Sequence, residues 1–187
     1  MKNTKEAIAK SLKHLLLNKP ITKITINDIT EDCHISRMTF YYHFNDIYDL
    51  VHWICEEDAR EALSDNRTFD TWQAGYQAVL EIVRANKPFV VNIFRSVDRE
   101  QIERYLLSVT EKLLMPVIEE QSEGLIISDE NKRYVADFFK FGFVGIMLEW
   151  IQYDMKVEPA KIAEMTEKII HGDFRQALER LSEGEKQ

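Results

Sequence analysis

Residues that break or bend a backbone are scarce here: 187 residues hold six glycines and four prolines, too few for long structureless stretches. The two cysteines, Cys33 and Cys55, lack CxxC spacing, which argues against a zinc ribbon and fits reduced, largely buried thiols. No apolar run reaches the roughly 20 residues that a membrane helix needs. The segment MKNTKEAIAKSLKHLL reads as an amphipathic helix with too many charges for a secretory signal. No membrane contact is expected, and the expected location is cytoplasmic. Basic charge is short as well: 24 Lys and Arg against 32 Asp and Glu leave −8, a balance that disfavours indiscriminate wrapping of nucleic acid. What the chain has in quantity is apolar residues, 45% of the total, ample for a packed core and excluding a disordered tail.

The acid is not spread evenly. Residues 1 to 55 hold seven Lys or Arg and six Asp or Glu, about +1, and four of the five histidines; the other 132 residues hold 17 and 26, or −9. A nearly neutral N-terminal part suits a short footprint of specific geometry better than electrostatic coating. Lys2 and Lys5 ahead of the motif described next could add phosphate contacts, or could be two solvated lysines on a loose terminus.

Residues 24 to 50, ITINDITEDCHISRMTFYYHFNDIYDL, read as two short helices joined by a tight turn. Thr25 can cap the first, with Asp28 three residues on as a short capping box. Ile26 and Ile29 share one face. Ser36 is a good N-cap for the second helix, which places Arg37, Met38 and Thr39 in its first turn. Phe40 and Phe44, four apart, can face the core, while Arg37 and Tyr41 share another face. Donors and flat rings at Arg37, Thr39, Tyr41, Tyr42 and His43 form a surface suited to touching DNA.

The string Ile35-Ser36-Arg37-Met38-Thr39-Phe40-Tyr41-Tyr42-His43-Phe44 resembles the helix-turn-helix signature of the TetR family of bacterial regulators. The strong motif covers about the first 55 residues, and the rest resembles the family in layout. Trp53-Ile54 and the later FGFVGIMLEWIQYDM are similar to a branch that includes activators of dihydroxyacetone kinase operons. The resemblance implies that Arg37 and Met38 approach base edges, Arg37 forking onto a guanine and Met38 packing on a thymine methyl. It implies that Thr25, Thr39, Tyr41 and His43 hold phosphates, with Ser36 at the same helix end and Tyr42 at the groove wall or in the core. Two positions that are often basic in the family are Asn45 and Ile47 here, which should lower both affinity and its salt dependence. His34 stands where the family often has glycine, so its backbone must avoid φ > 0 or accept some strain.

The expected fold is all-α with about nine helices: an N-terminal three-helix helix-turn-helix domain, residues 1–50, and a helical effector-binding and dimerisation domain, residues 51–187. The helices are expected at about 4–18, the two of the motif, a fourth from about 46, then 71–85, 88–95, 98–121 with Pro116 as a kink, 129–153 and 159–181. The clearest break is SDNRTFD, and His171-Gly172-Asp173 reads as a helix stop and kink.

The penultimate helix is apolar over most of its circumference and must be buried on several sides. Gly142 and Gly145 cost about 1 kcal/mol each inside it relative to alanine, offset where another backbone or a ligand packs closely. With the amphipathic last helix this suggests a self-complementary surface, through which two copies would form a four-helix bundle. Phe143, Met147 and Trp150 on the one helix, and Ile162, Met165 and Ile169 on the other, are the candidate dimerisation residues. A monomer with a buried central helix is the alternative. The resemblance implies the homodimer, with two reading heads on successive major grooves of a double-stranded DNA operator.

The family also implies an effector cavity among the C-terminal helices. Trp72, Tyr76, Phe89, Phe94, Tyr105, Phe138, Phe141 and Trp150 could line it, with Arg95 or Arg104 for an anionic group, although each such ring is more often plain core. The effector could be a small molecule, or a protein on the acidic C-terminal surface. His52, Cys55 and Glu56 could share a metal, but so few ligands make a weak set. No metal or cofactor is expected. No phosphate loop, nucleophile elbow, HExxH or recognisable carboxylate pair is present, so an enzyme is not expected. The expected function is a transcriptional regulator, a repressor released by a small-molecule effector. The alternative is an activator, or a protein-interaction module of the same fold, with weakened DNA contacts.

Overall fold

Apolar residues recurring three and four apart, with little glycine or proline between them, fold as amphipathic helices. In a computed structural model, which describes residues 2–62, 68–96 and 99–184, they form ten α-helices and no strand among the described residues. In order these are α1 (Lys2–Leu15), α2 (Ile26–Asp32), α3 (Arg37–His43), α4 (Ile47–Ala62), α5 (Trp72–Ala85), α6 (Lys87–Ser96), α7 (Arg99–Gln121), α8 (Asp129–Gln152), α9 (Pro159–Ile170) and α10 (Asp173–Gly184). A short 3-10 turn, Ile21–Lys23, follows α1. The expected break SDNRTFD lies partly outside the described residues. Its described end is a turn in which the Thr68 and Thr71 hydroxyls pair at 2.8 Å just before α5.

The chain divides into two compact units. The first, the head, contains Met1–Asp58 together with Asn86–Ile102. Its core joins Ile8, Leu12 and Leu16 to Ile29 of α2, Phe40 of α3 with Phe44 just beyond it, Leu50 and Ile54 of α4, and Phe89 and Ile93 of α6. The head is thus larger than the expected residues 1–50. α6 joins it because Phe89 and Ile93, four apart, both bury their side chains there. α1 ends at Leu15 instead of 18, since the next residues turn more tightly, with Leu17 N–H on the His14 carbonyl and Asn18 N–H on that of Leu15.

The second unit contains Ala59–Ala85 and Glu103–Gln187. Trp72, Tyr76 and Leu80 of α5 are buried, as are Leu113, Leu114 and Val117 of α7, Phe143, Val144 and Met147 of α8, and Phe174 and Leu178 of α10. The Phe143 ring meets Tyr76 at 4.6 Å and Trp72 at 5.6 Å, both edge-on, a favoured aromatic geometry. α7 runs through Pro116 to Gln121. The last helix expected at 159–181 is two helices, because Gly172 takes φ +80° between them, a left-handed conformation that glycine adopts without a side-chain clash.

Candidate nucleic-acid interface

Local hydrogen bonds define both ends of α2 and the start of α3. The Thr25 hydroxyl accepts from the Asp28 N–H at 3.2 Å, and the Asp28 carboxylate accepts from the Thr25 N–H at 2.8 Å. This is the reciprocal capping box at the start of α2. The Thr25 N–H, the Thr25 hydroxyl donating at 2.8 Å and Lys19 Nζ at 3.0 Å together hold the Asp28 carboxyl down at about 2. α2 closes with Ile35 N–H on the Thr30 carbonyl and His34 N–H on that of Glu31, the two bonds of a Schellman cap. That cap puts His34 at φ +55°, so the histidine accepts the left-handed backbone where the family often has glycine. Ser36 then caps α3, its hydroxyl accepting from the Thr39 N–H at 3.0 Å and pairing with the Thr39 hydroxyl at 2.8 Å.

α3 is seven residues long and has two faces. Phe40 is fully buried, Phe44 just past its end almost so, and the two rings lie 5.9 Å apart. On the other side Met38 is 83% exposed and Tyr42 72%, with Arg37 and Tyr41 also exposed and Thr39 and His43 half-buried. Tyr42 therefore faces solvent instead of the core. Its ring stands edge-on to His43 at 5.0 Å.

Part of the charge on the head is answered internally. Lys13 pairs with Asp58 at 3.0 Å, Lys19 with Asp28 at 3.0 Å and His14 with Asp32 at 2.9 Å. Lys5 lies over the rings of Phe44 and Trp53 at 5.2 and 5.5 Å, while the Lys2 side chain lies outside the described residues. Lys10, Lys23 and Arg37 are exposed and have no ion-pair partner among the described residues. Asn45 serves the local structure, since its backbone N–H and side-chain amide both donate to Asp49, at 2.9 and 3.0 Å, while the Asp49 N–H donates to Asp46 at 2.8 Å. Ile47 packs against the head core. Two positions that could carry phosphate contacts thus serve to start α4. Burial pushes the Cys55 thiol up to about 12, which keeps it protonated, and His52 lies 3.8 Å from Glu56.

In the second unit the candidate residues separate by exposure. Of the six dimerisation residues, Phe143 is 2% exposed and Met147, Trp150 and Ile162 are also buried within the single chain. Within the single chain they are core residues, Ile162 on the buried face of α9 and the others because α8 packs on several sides, and the Trp150 indole N–H is used on the Val157 carbonyl at 2.9 Å. Met165 and Ile169 are exposed. Of the pocket residues, Phe138 and Phe141 are 72% and 57% exposed and face away from any interior. Trp72 and Tyr76 are core, the Tyr76 hydroxyl donating to the Phe143 carbonyl at 3.2 Å. Phe94 and Tyr105 are half-buried, and Phe94 belongs to the head unit. The open face of α8 instead carries Tyr134, Phe138, Phe141 and Ile146. Gly142 and Gly145 share it, and a Cβ at either would meet nothing within 4 Å.

Residues 70–172 match a TetR-type family profile described as a transcriptional regulator C-terminal region. The chain is also 32% identical over 150 residues to the dhaKLM operon transcriptional activator DhaS of Lactococcus lactis, covering 79% of each chain. The chain belongs to the TetR family. TetR-family proteins are transcriptional regulators and not enzymes, and they bind DNA and form dimers. A solved structure of the dihydroxyacetone kinase operon activator DhaS superposes with a TM-score of 0.75 at 26% identity, over 92% of this chain and 96% of that one. NalD of Pseudomonas aeruginosa, a repressor of a multidrug efflux pump, shares the fold with a TM-score of 0.58 at 15% identity, over 91% and 94%. Among the described residues of this TetR-family chain, no helix is long and apolar enough to cross a membrane. Sequence reasoning missed Tyr134 and Ile146. Their signal was helical spacing, Tyr134 four residues before Phe138 and Ile146 eight after it, hidden because most of the intervening positions are apolar too.

Proposed function

We propose that this TetR-family regulator reads a two-fold-symmetric DNA operator with α3, and that it acts as a transcriptional activator. The carrying observation is the outward set of Arg37, Met38, Tyr41 and Tyr42 over a helix anchored by Phe40. Arg37 has no competing ion pair among the described residues, so its guanidinium is available to fork onto a guanine, with Met38 against a thymine methyl. Thr39, Tyr41 and His43 then hold phosphates. Thr25 and Ser36 act at the same edge mainly by fixing the starts of α2 and α3, since their hydroxyls are engaged in caps. With Asn45 and Ile47 committed to α4, few cations remain, so recognition leans on geometry more than on charge.

Two copies join through the open face of α8, Tyr134, Phe138, Phe141 and Ile146, with Gly142 and Gly145 admitting close backbone approach and Met165 and Ile169 of α9 adding apolar area. Burying those rings is worth about 1.5–3 kcal/mol each. Activation is favoured over repression by the likeness to DhaS, named as an operon activator. A DNA-bound regulator of this kind works in the cytoplasm, and the acidic second unit offers a surface for an effector.

Selection of genomic fragments by purified protein at two salt concentrations tests this reading. A two-fold-symmetric site should be enriched, with log affinity falling against log salt by roughly 0.9 for each phosphate neutralised. A reporter behind that site should rise when the protein is supplied. No enrichment at low salt would sink the DNA-reading role, and a reporter that falls would assign repression.

A further inference from the structure

We propose that Asn92, on α6, is a positioning residue for operator recognition: its carboxamide holds the linker between α1 and α2 from which the reading helices are hung. This rests on the reading of α3 as the DNA reader. The Asn92 side-chain oxygen accepts from the Ile21 N–H at 3.0 Å. Its amide donates to the Lys19 carbonyl at 3.1 Å and the Leu16 carbonyl at 3.3 Å. One side chain therefore satisfies three backbone groups spread over six residues of chain, 71 to 76 positions away in sequence. The two carbonyls lie just beyond α1, where a helix leaves acceptors without intrahelical donors. Pro20 between them and Ile21 brings no N–H of its own.

The placement is directional in a way that packing alone is not. Phe89 and Ile93 bury themselves in the head core on either side of Asn92 along α6, but apolar burial is tolerant of sliding. Three hydrogen bonds fix the register of α6 against the linker. On the other side of that linker, Ile21 and Ile24 are buried while Lys23 is exposed and Thr25 starts α2. α2 packs on α3, so a displaced linker moves Lys23, Thr25 and the recognition helix together. Asn92 thereby acts on DNA binding from a helix outside the helix-turn-helix. The segment Asn86–Ile102 that carries it enters and leaves the head through stretches of chain belonging to the second unit.

The test uses the full-length protein and an operator selected by the wild type. Asn92→Ala, which removes all three bonds, should weaken operator binding about tenfold, leave nonspecific DNA binding unchanged, and speed hydrogen exchange at the Ile21 amide. These are read at a temperature where its unfolding curve shows the protein fully folded, so lost stability cannot produce the shift. Asn92→Asp keeps an acceptor for Ile21 but sets a carboxylate against two carbonyls, and should lose at least as much operator affinity. A folded Asn92→Ala, or a folded Asn92→Asp where the alanine variant does not fold, that binds operator as tightly as the wild type overturns the assignment. A wild type that selects no operator overturns the reading of α3 itself, and the assignment with it.

Discussion

The open faces of α3 and α8 both show large side chains to solvent, yet they differ in what those side chains can do. On α3, Tyr41, Tyr42 and Arg37 end in hydrogen-bonding groups and Met38 stands alone as an apolar contact. On α8, Phe138, Phe141 and Ile146 have no polar end and lie beside two glycines with open space above them. A face of donors can stay in water until it meets base edges and phosphates. A face of phenylalanine loses free energy in water until another apolar surface covers it. Exposure makes both candidate places of contact, and the proposed partners differ with the chemistry: nucleic acid for α3, a second protein surface for α8.

The comparison is sharpest within α8, where Phe141 and Phe143 are two residues apart on opposite sides. In a background made monomeric by Phe138→Asp, Phe143→Ala should destabilise the second unit by about 3–5 kcal/mol. Phe141→Ala should change it by less than about 0.5 kcal/mol. Urea unfolding of the two variants checks this, and equal losses would break the division between core and face. Phe138→Asp by itself should weaken self-association on the order of 100-fold while leaving helical content unchanged. Sedimentation and circular dichroism read the two effects, and a variant that remains dimeric would show that the open face of α8 is not the contact between copies.

Much of the head was legible in the sequence because short-range chemistry decides it. Thr25 and Ser36 act as caps within three residues of chain, and Phe40 and Phe44 face inward by helical spacing alone. The second unit was less legible for a physical reason. α8 is apolar nearly all round, so its spacing does not say which phenylalanine meets α5 and α10 and which meets solvent; only the packed neighbours do. The same limit put Phe143, Met147 and Trp150 of α8 among the dimerisation candidates and Phe138 and Phe141 among the pocket candidates. α6 gave no sign of belonging to the head, since Phe89, Asn92 and Ile93 look like the buried face of any amphipathic helix. His34 shows the converse: a family habit pointed to a left-handed turn, and the histidine occupies it.

Two smaller effects sharpen the picture of the head. His34→Gly should stabilise it by about 0.5–1 kcal/mol, because glycine takes φ +55° without the side-chain clash, partly offset by its greater freedom when unfolded. Thermal unfolding checks the sign, and a destabilised variant would mean that the histidine side chain makes a contact worth more than the strain. Asp28 gives a pH dependence. Its carboxyl is held at about 2, below the ordinary 3.8, first by the Thr25 backbone N–H. The capping-box contribution is therefore complete above the ordinary value and is lost as pH falls through about 2. The stability advantage of the wild type over Asp28→Asn in urea should shrink as pH drops from 5 towards 2, and a constant difference would contradict the assigned cap.

Whether α3 reads bases through Arg37 is decided by a paired titration. Wild type and Arg37→Ala are each measured against the selected operator and against operators changed one base pair at a time, with unfolding curves alongside. Arg37→Ala should lose about 1–3 kcal/mol of operator affinity and the discrimination at one base position, with no change in stability. Unchanged affinity and unchanged preference at every position would contradict base reading by Arg37.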